Sequence, residues 1–128
     1  MSVLVVEDEK LLNWSLAKSL NKWGYDVRPV FTGTDAMAQL DDPEITVFIL
    51  DYQLPDLDGI EVARRVRAVR PNSVIFLVTA FQLNELPLSS GIIDAYFNKP
   101  VDLQQIRQAL TRLEVPSVRR AERTAGNA

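Results

Sequence analysis

Five short apolar runs separated by amphipathic stretches constrain this chain more than any other feature. Ser2–Val6 (SVLVV), Tyr25–Val30, Val47–Leu50, Val74–Val78 and Ala95–Phe97 read as strands. Runs such as Val3–Val6 and Val47–Leu50 are apolar at successive positions, so both faces of those strands need cover, which is the pattern of a parallel sheet. Helical periods fill the gaps. Leu12, Leu16, Leu20 and Trp23 fall on one stripe, Ala36, Met37 and Leu40 on a shorter one. Val62, Ala63, Val66 and Val69 make a third, and Leu103, Ile106, Leu110 and Leu113 the last. Asp58 with Glu61, and Asp102 with Gln105, have the spacing of capping boxes that start the last two of these helices.

Repeated β-α alternation at this spacing predicts an α/β fold: a doubly wound, five-stranded parallel sheet with helices on both faces. The segment Leu83–Gly91 (LNELPLSSG) should carry the fourth helix, yet Pro87 and the Ser-Ser-Gly that follows it disfavour one. A short or irregular fourth helix is expected there. Residues 1–113 read as one domain. Glu114–Ala128 loses the apolar period and carries three Arg and two Glu, so it reads as a linker or disordered tail. Trp14 and Trp23 read as packing residues, and Arg64, Arg65, Arg67 and Arg70 as a solvated helix face.

Composition removes whole classes of chemistry. The 128 residues contain no Cys and no His, so thiolate and imidazole metal sites, and Cys–His or Ser–His catalysis, are excluded. A net charge of -3 argues against a nucleic-acid footprint over the whole domain. The apolar runs are too short to span a bilayer, and no basic segment precedes a long apolar one at the N-terminus, so a cytoplasmic chain is expected.

The chemistry gathers where the strands end. The first strand ends in Glu7-Asp8, the third in Asp51, the fourth in Thr79, and the fifth just before Lys99. In a doubly wound sheet these side chains converge beyond the carboxyl edge. Crowded carboxylates repel and need a cation, and an all-oxygen donor set suits Mg2+ or Mn2+ rather than zinc. A carboxylate beside such an ion can accept a phosphoryl group as an acyl phosphate. Asp56 and Asp58 lie close by in sequence. Asp58 is assigned to helix capping and Asp56 to the solvated loop.

VLVVEDE, ILDYQLPDLDG, VTA and FNKP, in that order and each at a strand end, resemble the four signature segments of the response-regulator receiver domain. The resemblance covers roughly residues 2–113. It implies the flavodoxin-like strand order 2-1-3-4-5. It also implies Asp51 as phosphoacceptor, direct Mg2+ binding by Asp8, a mainly water-bridged Glu7, and the Gln53 backbone carbonyl as a further ligand. Thr79 would grip a phosphoryl oxygen, Lys99 would pair with it or with unmodified Asp51, Tyr96 would be a rotameric switch, and Lys99–Pro100 would be cis. The implied donor is a sensor histidine kinase or phosphotransfer protein, and a homodimer is a further expectation. The chain departs from the family pattern in having Glu7 at the first acidic position, a short Thr79–Lys99 interval and Pro87 within it. Phe81 and Gln53 are candidates for slowing hydrolysis of the acyl phosphate.

Three alternatives stand beside this reading. Phosphohydrolases with an Asp nucleophile place a second Asp two residues later as general acid, where this chain has Gln53. A flavodoxin-like nucleotide or flavin module needs a phosphate-binding turn, where this chain has Glu7-Asp8-Glu9. A receiver controlled without phosphorylation would keep the fold and use the surface alone.

Overall fold

The computed structural model describes residues 1–86, 91–113 and 115, and gives no side-chain placement for Leu83. Five strands, β1 (Ser2–Val6), β2 (Asp26–Val30), β3 (Ile45–Asp51), β4 (Val74–Thr79) and β5 (Ala95–Asn98), form one sheet. All pairings are parallel and the order is β2-β1-β3-β4-β5. The helices are α1 (Lys10–Lys22), α2 (Gly33–Met37), α3 (Gly59–Val69) and α4 (Leu103–Arg112). Between β4 and β5 the expected fourth helix is reduced, among the described residues, to a 3-10 turn at Leu83–Glu85. The rest of that expectation falls partly on residues 87–90, outside the described residues, as do most of 114–128.

Alternation along the strands divides the interior. Leu4, Val6, Phe48, Leu50, Ile75 and Leu77 point to one face, where they meet Ala36 of α2 and Ile60, Ala63 and Val66 of α3. Val3, Val5, Val47, Ile49, Phe76 and Val78 point to the other, against Leu16 and Leu20 of α1 and Ile106 and Leu110 of α4. The central strands are therefore apolar throughout because each face has its own layer of helices. β2 pairs with β1 alone, and at this edge Pro29 opposite Val5 is tolerated despite its missing N–H.

Asp58 and Asp102 are the N-caps of α3 and α4, their carboxylates accepting from the Ile60 and Gln104 amides. The reciprocal half expected of Glu61 does not form; its carboxylate pairs instead with Arg65 one turn on. Thr32 caps α2 by accepting from the Asp35 amide.

Other expectations need correction. Trp14 is not a packing residue: it is 59% exposed on α1, with the Lys18 ammonium 4.8 Å from its ring centre. Its position is off the Leu16–Leu20 stripe, which leaves it on the wet side. Trp23 is half-buried against the α1–α4 core, under the Arg107 guanidinium. Of the four arginines, Arg64 and Arg65 are solvated, but Arg67 and Arg70 are not free. Arg67 donates to the carbonyls of Pro71, Ser73 and Ile92 and to Asp94. Arg70 donates to the carbonyls of Leu40, Asp42, Pro43 and Ile45. A guanidinium offers five N–H groups in a fixed fork, and here both forks serve mainly the backbone carbonyls around the turns that lead into β3 and β4.

Candidate functional site

The parallel register brings the carboxyl ends of β1, β3, β4 and β5 to one edge. Glu7 follows β1, and Asp51 ends β3 with its neighbour Tyr52 donating its amide to the Val78 carbonyl at 2.9 Å. Thr79 ends β4 opposite Asn98, and the Lys99 amide bonds the Thr79 carbonyl at 2.9 Å. The Lys99–Pro100 peptide bond is cis. Gly59 permits the close return of the β3–α3 loop, since a Cβ there would lie 2.2 Å from the Asp51 carbonyl oxygen.

Glu7, Asp8 and Asp51 each present a carboxylate oxygen within 4.8 Å of the others. Glu7 and Asp51 are buried, 2% and 5% exposed, while Asp8 faces solvent. Lys99 reaches in from β5, its Nζ 3.0 Å from Glu7 Oε1 and 3.3 Å from Asp51 Oδ2. Glu7 Oε2 accepts from the Glu9 amide at 3.0 Å. Burial pushes the Glu7 carboxyl up from about 4.5 to about 7, with Asp51 adding to the rise and the Glu9 amide and Lys99 opposing it. Burial raises Asp51 as well, against Lys99 and the Gln53 amide. Lys99 is held above its usual range because the two carboxylates outweigh the opposing effect of burial. Two buried acids and one ammonium thus leave negative charge unbalanced. Three convergent oxygens at this spacing suit a hard divalent ion, which takes carboxylates, carbonyls and water as ligands.

Thr79 is 1% exposed, and its Oγ1 accepts from the Phe81 amide at 2.9 Å. Phe81 lies edge-on to Tyr52, ring centres 5.6 Å apart, and both rings pack against the α2–α3 side of the core. Gln53 is exposed beside Asp51, bridged to Asp58 across the loop. Tyr96 lies on β5, half-buried against the α2–α3 side of the sheet, and burial raises its hydroxyl pKa.

For three residues the sequence reading did not foresee the bonds they make. Asp56 is exposed but bonded: it accepts from the Gly33 and Thr34 amides, each at 2.8 Å, and from the Thr34 hydroxyl. Those bonds hold its carboxyl down at about 2 and tie the loop carrying Gln53 to the start of α2. Asn98 donates its side-chain amide to the Phe81 carbonyl at 2.9 Å, steadying the loop after Thr79. Asn13, buried in α1, bonds the carbonyl of Glu7. Only Asn13 carried a local signal, as a polar residue in step with Leu16 and Leu20.

Comparison with known proteins agrees with this geometry. The family model described as the response regulator receiver domain matches residues 3–111. The transcriptional regulatory protein ZraR of Salmonella typhimurium is 30% identical over 115 residues, covering 88% of this chain and 26% of that protein. The sensor histidine kinase RcsC of Escherichia coli is 33% identical over 114 residues, covering 87% of this chain and 12% of that protein. The chain thus spans about a quarter or less of these two relatives. Among solved structures, the response regulator TrrA of Thermotoga maritima, in complex with Mg(2+)-BeF, superposes with a TM-score of 0.79 at 28% identity, covering 88% of this chain and 99% of that one. A family match over nearly the whole described chain, with a sheet of the same order and an acidic cluster at its carboxyl edge, shows that this chain belongs to the receiver domain family of two-component response regulators.

Proposed function

We propose that Asp51 is the phosphoacceptor, that Glu7, Asp8, Asp51 and the Gln53 backbone carbonyl hold Mg2+ (Mn2+ serving in its place), and that Thr79 and Lys99 complete the site. The observation that carries this reading is the convergence of three carboxylates within 4.8 Å, with the Lys99 ammonium 3.3 Å from Asp51. An Asp51 oxygen attacks phosphorus, the bond from phosphorus to the donor breaks, and the leaving group departs with its electron pair. Lys99 then meets a phosphoryl oxygen in place of the carboxylate oxygen it now holds. The Thr79 hydroxyl, which accepts from the Phe81 amide, still has its proton to donate to another phosphoryl oxygen. When bound, the divalent ion neutralises charge on the transferring group. The added dianion biases a two-state surface through Thr79 and Tyr96, a population shift rather than a new fold.

The donor is a sensor histidine kinase or a phosphotransfer protein in the cytoplasm, where such phosphohistidines form. The domain turns over only its own phosphoryl group and so is no enzyme towards other substrates, since Gln53 stands where a hydrolase needs an acid. Direct nucleic-acid or membrane binding is not part of the reading; a homodimer is. Phe81 and Gln53, flanking Asp51, limit the approach of water and lengthen the phosphoryl lifetime.

Intact-mass measurement with a small phosphodonor and Mg2+ tests the assignment. One phosphate is expected on the natural chain and none on Asp51→Asn; an equal gain on both overturns it. Followed over time, Phe81→Glu and Gln53→Asn should lose the label faster, and unchanged lifetimes in both would refute their role. Continued release of phosphate from excess donor would favour a hydrolase instead.

A further inference from the structure

Asn13 lies on the buried stripe of α1, in step with Leu16 and Leu20, and is 1% exposed. Its side-chain amide donates to the carbonyls of Glu7 and Val30, each at 2.9 Å. Those two carbonyls stand at the ends of β1 and β2, and the Val30 oxygen also takes the Glu7 amide at 3.1 Å. The Asn13 backbone amide closes the first turn of α1 on the Glu9 carbonyl at 2.9 Å. Glu9 in turn donates its own amide to the Glu7 carboxylate. Residues 7 to 9 are therefore fixed at both ends by one residue.

Asn13 Oδ1 is buried and has no hydrogen-bond partner. Leucine would pack on this stripe without leaving a buried acceptor unmatched. What leucine could not do is hold the two strand-end carbonyls. Among the described residues no hydrogen bond or ion pair restrains the Asp8 carboxylate, so the backbone at 7–9, which sets the direction of its Cα–Cβ bond, is what aims it.

We infer that Asn13 is a positioning residue for the cation-binding carboxylates, clamping the Glu7 carbonyl to the end of β2 so that Glu7 and Asp8 face Asp51. The inference rests on the reading of the acidic cluster as a divalent-ion site. Groups that orient metal ligands typically change affinity by about 10- to 100-fold when removed.

The test is calorimetric titration of the purified chain with Mg2+, with amide exchange at residues 7–9 read in metal-free buffer and thermal melts as a check on folding. Asn13→Leu should bind Mg2+ about tenfold more weakly and exchange the Glu9 amide faster, while amides of β3 and β4 keep their protection. Asn13→Ser, which keeps one donor, should fall between Leu and Asn in both readouts. If Asn13→Leu fails to fold, the Ser variant decides alone. Affinity and Glu9 exchange both within twofold of the natural chain overturn the inference. Absence of Mg2+ binding by the natural chain overturns the reading of the site instead, and the exchange data then show whether Asn13 still orders residues 7–9.

Discussion

Glu7 carries the largest electrostatic strain of any single residue in the site. It is buried among like charge, and only Lys99 and one amide compensate it. Its carboxyl titrates near 7 in the folded chain against about 4.5 when unfolded, so between those values the folded state holds the extra proton. The folded state then loses stability as pH rises through this window, by up to about 3 kcal/mol for a shift of this size. Urea unfolding of the metal-free chain should show that fall from about pH 4.5 to 7, and Glu7→Gln should flatten it. Parallel curves for the two proteins would show that Glu7 is not the titrating group. Millimolar Mg2+ should remove the dip, because a bound cation displaces the proton. Each acidic residue of the site was legible in sequence because each stands directly after an apolar strand. The Glu7 pKa was not, since it depends first on burial and then on Asp51 and Lys99, which follow in the chain only at the ends of the third and fifth strands.

At the level of elements, strands were the most legible. β1 matches Ser2–Val6, and the others differ from the predicted spans at their ends by one or two residues, because two-sided burial leaves a continuous apolar signature. Contacts between polar side chains and distant backbone left no such trace. Asp56 meets residues 22 and 23 positions away, and Arg70 meets carbonyls 25 to 30 positions away. A run of arginines on a helix therefore looked uniform although its members do different work. Arg70→Ala leaves the turn between α2 and β3 without its donor fork and should cost about 2 kcal/mol, given the worth of hydrogen bonds from a charged group. Arg64→Ala, on the solvated side, should stay within about 0.5 kcal/mol. Urea midpoints of the two variants check this, and equal midpoints would return Arg70 to the solvated face. The Thr32–Asp35 spacing that starts α2 was a signal open to reading, whereas the shortness of the helix after β4, a 3-10 turn among the described residues, was partly foreseen from Pro87.

Across the whole molecule, the last described segment closes onto the first β-α unit. Val115 is buried on the α1–α4 side of the sheet, its amide bonded to the Leu110 carbonyl at 2.9 Å. Its own carbonyl accepts from the Tyr25 hydroxyl at 2.8 Å, 90 residues away. Tyr25 immediately precedes β2, so this clasp sits at the amino end of the strands, opposite the carboxylates. The clasp bears on where the folded unit stops. A chain ended at Leu113 loses the buried valine and the tyrosine hydrogen bond, and should be less stable than one ended at Val115 by about 2 kcal/mol. In the longer chain Tyr25→Phe should cost about 1 kcal/mol, and in the shorter chain less, since the carbonyl it serves is gone. Urea unfolding of the four proteins gives the coupling between residue 25 and the last two residues. A coupling of zero, with equal midpoints for the two lengths, would mean that the clasp adds nothing to the fold and that Leu113 is a sufficient end.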